Sequence, residues 1–511
     1  MAKRRSLRDT VPKNYACASP SASPSPSLSV FSQGVEAGNV TSLDANKDAP
    51  PNLPSRNSIS MASTRKWSLD ALLKYSTNFV PAQRVPATSP GLSETMRKFE
   101  TLGEPLVVEG YHHHPAWPHE MFTLDYFVQN TTSDEINVRN IHDWTDRTIK
   151  LSDFVNECRN MSHYASPDEK QRLYGKDAEC PEPWENWLHN GGVIPLSLVE
   201  NGPQDLFRYR PDSAAVQTLM CYLGIGDTFT PCHKDLCASS GQNLMCYTED
   251  GGASFWFMTK GSSSADAAKY FHSLGRELDH ENHVITLEEL ANAPFQVFII
   301  EQKLGDLVLV PPRSCHQVVN FGGITIKTSW SRMTLDGLSV AYFHELPIYR
   351  RVCRPEIYRV KDTIHHALLG QTKEICSSLG CKDSTSVAVG ELKELLFLYD
   401  CILAEEFSAG HGTMHHILSQ SGNVSDGAHL ECDFCHGDIF QSFFDCSQCT
   451  NDQNPLLICS GCFVEGRRCR CKSMRPVQYR NFKQLIKIRD QAENAIRQYE
   501  ETRGQMFTQE L

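Results

Sequence analysis

The chain has 511 residues, 40% hydrophobic and 22% charged, so it can bury a sizeable core, and its length calls for two or three units plus flexible segments. A formal net charge of -12 argues against holding nucleic acid over the whole surface and leaves only a local basic patch as a route to it. No apolar run approaches the roughly 18–20 residues of a spanning helix, and Lys3-Arg4-Arg5 continues into polar residues rather than a secretory signal, so an intracellular protein with no membrane partner is expected.

Residues 1–65 are rich in Ser, Pro, Ala and Asn, too poor in apolar mass to offset the entropy of ordering, and are read as disordered. Lys3-Arg4-Arg5 reads either as part of a nuclear import signal or as a solvated terminus. Residues 66–99 are read as a linker with a short helix near Trp67–Tyr75, leading to a β-like entry at Pro105–Gly110. From 100 to 345 short apolar runs alternate with turn signals, which predicts an antiparallel, mainly β unit with helical insertions. The best strands are 219–224, 255–258, 297–300, 307–310 and 324–327, and a helix is expected within 260–290. Residues 346–425 read as a helical extension packed on the β unit, 430–475 as a cysteine-rich module, and 476–511 as a closing helix.

The chemistry begins in the run Thr230-Pro231-Cys232-His233-Lys234-Asp235. His233 and Asp235 leave the same face of a strand, and His316, in Cys315-His316-Gln317-Val318-Val319-Asn320, is distant enough to return on another strand. Two imidazoles and a carboxylate on one face of a metal match the ligand set of non-haem Fe(II) oxygenases. Gly305-Asp306, the apolar run 307–310 and Pro311-Pro312 supply a turn, a strand and a stop ahead of His316.

With Asn243–Tyr247, Gly252–Trp256 and Gly305 to Lys327, these passages resemble the JmjC oxygenases, over roughly residues 100–345. The likeness is greatest to the hairless-type histone lysine demethylases. The resemblance implies a double-stranded β-helix (jelly roll, cupin-like) with His233, Asp235 and His316 as ligands of Fe(II), and 2-oxoglutarate as co-substrate. Many relatives place a lysine for the co-substrate just before the position of Phe255-Trp256, where this chain has Ser254. Lys327, where hairless-type relatives also carry lysine, is the preferred replacement and Lys260 the second choice. Thr230 and Asn243 match residues that contact or line the co-substrate pocket. The activity implied is oxidative demethylation of lysine on a histone tail or another methylated protein, in the nucleus. A protein hydroxylase and a catalytically idle chromatin scaffold are the alternatives.

His112-His113-His114 cannot all face one ion on a strand and are read as a surface loop. His365-His366 and His415-His416 are read as helix surface or packing residues. Of the 20 cysteines, eight form close pairs, Cys432/Cys435, Cys446/Cys449, Cys459/Cys462 and Cys469/Cys471, the number needed for two tetrahedral zinc sites. The module resembles a ZZ-type cross-brace, which implies Cys432, Cys435, Cys459 and Cys462 around one Zn and Cys446, Cys449, Cys469 and Cys471 around the other; pairing of sequence neighbours stays open. Its closed sites point to bracing or to binding a chromatin partner, and Arg467, Arg468, Arg470, Lys472 and Arg475 give it a basic rim.

Overall fold

The apolar runs of the central region are strands that are buried on both faces, which is why they read as continuous rather than alternating. A computed structural model describes residues 63–378, 386–406, 415–416, 430–451, 454–478 and 480–509, all within one compact unit, Arg56–Leu511. The disorder expected of the N-terminus falls on residues outside these, apart from 63–65. There Thr64 is buried, its backbone N–H and hydroxyl donating to Asp227 Oδ1 at 2.6 and 2.7 Å.

Strands β1 (Phe79–Pro81), β2 (Gln83–Pro86) and β3 (Leu106–Glu109) come first, followed by β4 (Glu135–Asn140), β5 (Asp146–Lys150) and β6 (Leu173–Glu179). The central eight are β7 (Met220–Gly224), β8 (Phe229–His233), β9 (Ser240–Thr248), β10 (Ala253–Met258), β11 (Val297–Gln302), β12 (Leu307–Val310), β13 (His316–Phe321) and β14 (Thr325–Arg332). They divide between a five-stranded sheet ordered β1-β11-β10-β13-β8 and a nine-stranded sheet ordered β2-β3-β12-β9-β14-β7-β6-β4-β5. Within the central eight every pairing is antiparallel. The stretch 66–99, read as a linker with a short helix near Trp67–Tyr75, has a helix at Leu69–Leu73 and is otherwise built in: β1 pairs with β11 and β2 with β3, both in parallel, and Leu92–Leu102 is helical.

Alternation sorts the side chains. Trp256 and Met258 of β10, Val308 and Val310 of β12 and Val318 of β13 meet between the sheets. Phe255, Phe257 and Val319 pack outward under the insertion helix Ser264–Ser273, while Leu244, Leu307, Ile326 and Trp330 pack outward against Trp184 and Phe122.

Beyond β14 the chain runs through Leu335–Val340, a π-helical turn at Ala341–Glu345 and Leu346–Val352. Helices α1 (Val360–Ser378), α2 (Ser386–Glu406) and α3 (Phe482–Gln509) then share a core of Ile364, Leu392, Leu395, Tyr399, Leu485 and Ala492. His365 is buried in this packing, stacked on Tyr399 at 5.8 Å. His415-His416, expected on a helix, instead form a short strand parallel to Val477-Gln478. The cysteine module carries β16 (Ser442–Asn451), β17 (Asn454–Cys459) and β18 (Arg475–Gln478), with His415–His416 as β15. It is bolted to the extension: Asp438 accepts from Arg359 at 2.8 Å, and its N–H donates to Glu356 Oε2 at 3.1 Å. No described helix is long and apolar enough to cross a membrane.

Candidate active site

His233 and His316 are direct cross-strand partners, whereas Val318 faces Thr230. Between these two pairs β13 has one residue, Gln317, and β8 has two, Pro231 and Cys232, so β8 is bulged. On a regular strand residues three apart leave opposite faces; the bulge returns both Thr230 and His233 to the inner face. A proline, which has no N–H to give to a ladder, suits that position.

Each imidazole is oriented by its own backbone. His233 Nδ1 lies 2.9 Å from Pro231 O and His316 Nδ1 3.0 Å from Ser314 O. Donation from Nδ1 to these carbonyls leaves both Nε2 lone pairs for a metal. Asp235 follows the strand, its Oδ1 3.8 Å from His316 Nε2, and one ligand atom from each of the three residues lies within 4.8 Å of the others. Gly241 makes this possible, because a Cβ there would collide with Asp235 Oδ2. Trp256 walls the site, stacked on His316 at 5.8 Å with its N–H donating to Gln302 at 2.9 Å. A hard oxygen and two imidazole nitrogens suit Fe(II) and related divalent ions.

Lys327 is buried on β14, and its ammonium reaches across to the other sheet, donating to Asn320 Oδ1 at 2.6 Å and to Ser254 Oγ at 3.1 Å. Asn320 is itself held by donating to Thr228 Oγ1 at 2.8 Å. These partners are neutral, and burial alone pulls the Lys327 ammonium down to about 7. A buried cation facing only neutral groups is costly unless an anion joins it, so this space suits an anionic ligand. Ser254 is thus beside Lys327, although the two stand on different sheets.

Thr230 shares the inner face with Val318 and accepts from its N–H at 3.3 Å. Asn243 of β9 also points between the sheets, where it accepts from Gln302 Nε2 at 3.1 Å. Lys260, the second-choice lysine, is not in this space; it pairs with Glu104 at the surface. His112 and His113 lie on a 3-10 turn, Tyr111–His113, with rings 3.8 Å apart, and join no potential metal group among the described residues. Asn320, Gly241 and Gln302 were not singled out from sequence. The signal for Asn320 was there, since four residues from His316 on a strand is the same face.

The cysteines gather as Cys432, Cys435, Cys459 and Cys462, and as Cys446, Cys449, Cys469 and Cys471. First and third pairs meet, as do second and fourth, rather than sequence neighbours. Cys435 and Cys459 Sγ are 3.8 Å apart, and Cys471 Sγ lies 3.2, 3.4 and 3.3 Å from those of Cys446, Cys449 and Cys469. All-sulfur quartets of this kind fit Zn. Arg467 donates to Cys462 Sγ at 2.9 Å, placing a cation beside the first quartet, which is mostly buried, while Cys471 of the second is exposed.

Residues 220–331 match the JmjC domain family, described as a hydroxylase domain, so a JmjC domain is present in this chain. The chain is similar to C-module-binding factor A of Dictyostelium discoideum, 29% identical over 418 residues, which is 77% of this chain and 40% of that protein. It therefore spans less than half the length of this relative.

Proposed function

We propose that the chain is an Fe(II)- and 2-oxoglutarate-dependent dioxygenase that demethylates lysine on a histone tail in the nucleus. Its two central sheets are read as the double-stranded β-helix of the hairless-type branch, and its cysteine quartets as a ZZ-like pair of structural zinc sites that brace the enzyme or meet chromatin proteins. The observation that carries the reading is the pairing, within one sheet-lined space, of the His233-Asp235-His316 triad with a buried lysine that has no anionic partner among the described residues.

Bound at the triad together with 2-oxoglutarate, iron supplies the coupling of co-substrate decarboxylation to hydroxylation of a substrate C–H bond by dioxygen. The chain's own residues do the rest. Lys327 holds the distal carboxylate by a charge-assisted bond, with Ser254 and Asn320 keeping the ammonium aimed. Thr230 and Asn243 offer polar contacts along the co-substrate, and Trp256 and Val318 keep water from the site. The Nδ1 bonds to Pro231 and Ser314 fix both imidazoles before the metal arrives. When the hydroxylated carbon is an N-methyl group of lysine, the product breaks down to formaldehyde and demethylated lysine.

Protein hydroxylation by the same chemistry is the second reading, favoured by the description of the matched family. Incubation of the purified chain with Fe(II), ascorbate, 2-oxoglutarate and a panel of methylated histone peptides tests both. Succinate and formaldehyde together support demethylation; succinate with an oxygen atom retained on the peptide supports hydroxylation. A His233→Ala variant as active as wild type would overturn the site.

A further inference from the structure

Lys234 stands between two of the triad residues. Because His233 and Asp235 turn inward, the side chain at 234 must leave by the opposite face, so whatever grips it sets the height of both neighbours. It is buried, and its ammonium lies 2.8 Å from Glu345 and 3.1 Å from Asp279. The other carboxylate oxygen of Glu345 accepts from Arg313 Nε at 2.8 Å. Arg313 lies three residues before His316, in a left-handed turn with φ +64°. One carboxylate thus holds, through its two oxygens, both chain segments that carry the triad.

Glu345 ends the π-helical turn Ala341–Glu345, just before a helix with proline in its first turn. The wider turn changes the direction in which the last residue points relative to an α-helix, and such turns are frequent at functional sites. Arg354 completes the assembly, donating to Asp279 at 3.3 Å and to the Lys234 carbonyl at 3.4 Å. Buried ion networks of this kind are weak contributors to net stability, since apolar replacements often do as well; what this one provides is geometry.

We infer that Glu345 is a positioning residue for the metal centre, joining the His233/Asp235 segment to the His316 segment through Lys234 and Arg313. The inference rests on the proposed metal site. The test uses zinc-loaded full chain with Mn(II), which thiolate sites disfavour, in the presence of 2-oxoglutarate, reading free and bound Mn(II) by electron paramagnetic resonance. Glu345→Gln and Arg313→Lys are expected to bind Mn(II) about tenfold or more weakly, the range for residues that orient ligands, and to broaden the bound signal. Lys361→Met removes another buried pair of the extension, with Glu406 at 2.6 Å, and is expected to lower the melting temperature with Mn(II) affinity unchanged. Wild-type affinity in Glu345→Gln and Arg313→Lys, or an equal loss in Lys361→Met, overturns the positioning role. If Glu345→Gln does not fold, Arg313→Lys decides. Failure of wild type itself to bind Mn(II) overturns the metal site instead, so the two failures are distinct.

Discussion

Replacing Lys327 with methionine should make the protein more stable and unable to use its co-substrate. Burial pulls the ammonium from an ordinary 10.5 to about 7, so at pH 7.5 the folded chain forgoes most of the protonation free energy that the unfolded chain enjoys. At 1.36 kcal/mol per pH unit this penalty has a ceiling of about 4 kcal/mol. Methionine fills similar volume, and Ser254 and Asn320 still bond to each other at 2.8 Å, so about half the ceiling should be recovered as stability. The sign follows from proton binding: between pH 7 and 10.5 the unfolded chain carries more protons than the folded one. The penalty is therefore fully present below about pH 7 and fades as pH rises toward 10.5. A buried carboxylate robbed of its cation loses about 3–5 kcal/mol, on the order of 10²–10⁴-fold in 2-oxoglutarate affinity. Thermal melts of both proteins at pH 7.5, with and without Mn(II) plus 2-oxoglutarate, check this. Lys327→Met should melt a few degrees above wild type alone and gain nothing from 2-oxoglutarate beyond what Mn(II) gives. A lower melting temperature without ligand, or an undiminished ligand-induced rise, would refute the reasoning.

Because only the protonated lysine meets the co-substrate's charge, 2-oxoglutarate affinity of the wild type should fall about tenfold per pH unit above pH 7, read by calorimetric titration in buffers of differing ionisation heat; proton uptake on binding is the signature. Gly241→Ala places a methyl against Asp235 Oδ2 and 3.1 Å from Val310 Cβ, so Mn(II) affinity should fall about 10–100-fold; unchanged affinity would mean that Asp235 is not held there. Cys432→Ser, in the buried quartet, should release one zinc per chain and lower the melting temperature more than Cys471→Ser in the exposed one, measured by native mass spectrometry and thermal melts. Equal losses would place both quartets on the same structural footing.

The grouping of His233, Asp235 and His316 is legible from residue type and strand parity, and the strands because burial on both faces makes runs such as Phe255-Trp256-Phe257-Met258 continuous. The burial of Lys327 is not announced by its neighbourhood in the sequence, because Ser254 and Asn320 arrive from the other sheet. What joins distant segments was hidden. Lys234 looked like an unremarked residue between ligands, and its partner Glu345 is 111 positions away. Strands β4 and β5 carry polar residues at the end of the nine-stranded sheet, with only Ile136, Val138 and Asn140 of β4 buried, so composition did not mark them. His415-His416 lack any flanking period and owe their extended form to pairing with Val477-Gln478.

The junction of Glu356 and Arg359 with Asp438 couples the helical extension to the cysteine module. Gly437 and Asp438 follow the Cys432-Cys435 knuckle, and the Gly437 carbonyl accepts from Cys432 N–H at 3.0 Å, so the loop that carries Asp438 depends on the shape of this knuckle. Loss of the loop would take from Arg359 its 2.8 Å carboxylate partner and from Glu356 the Asp438 N–H, while the contacts with Asp362 and Val360 stay. A chelator that unseats this knuckle is therefore expected to loosen the extension as well, read as lost hydrogen-exchange protection in Val360–Ser378.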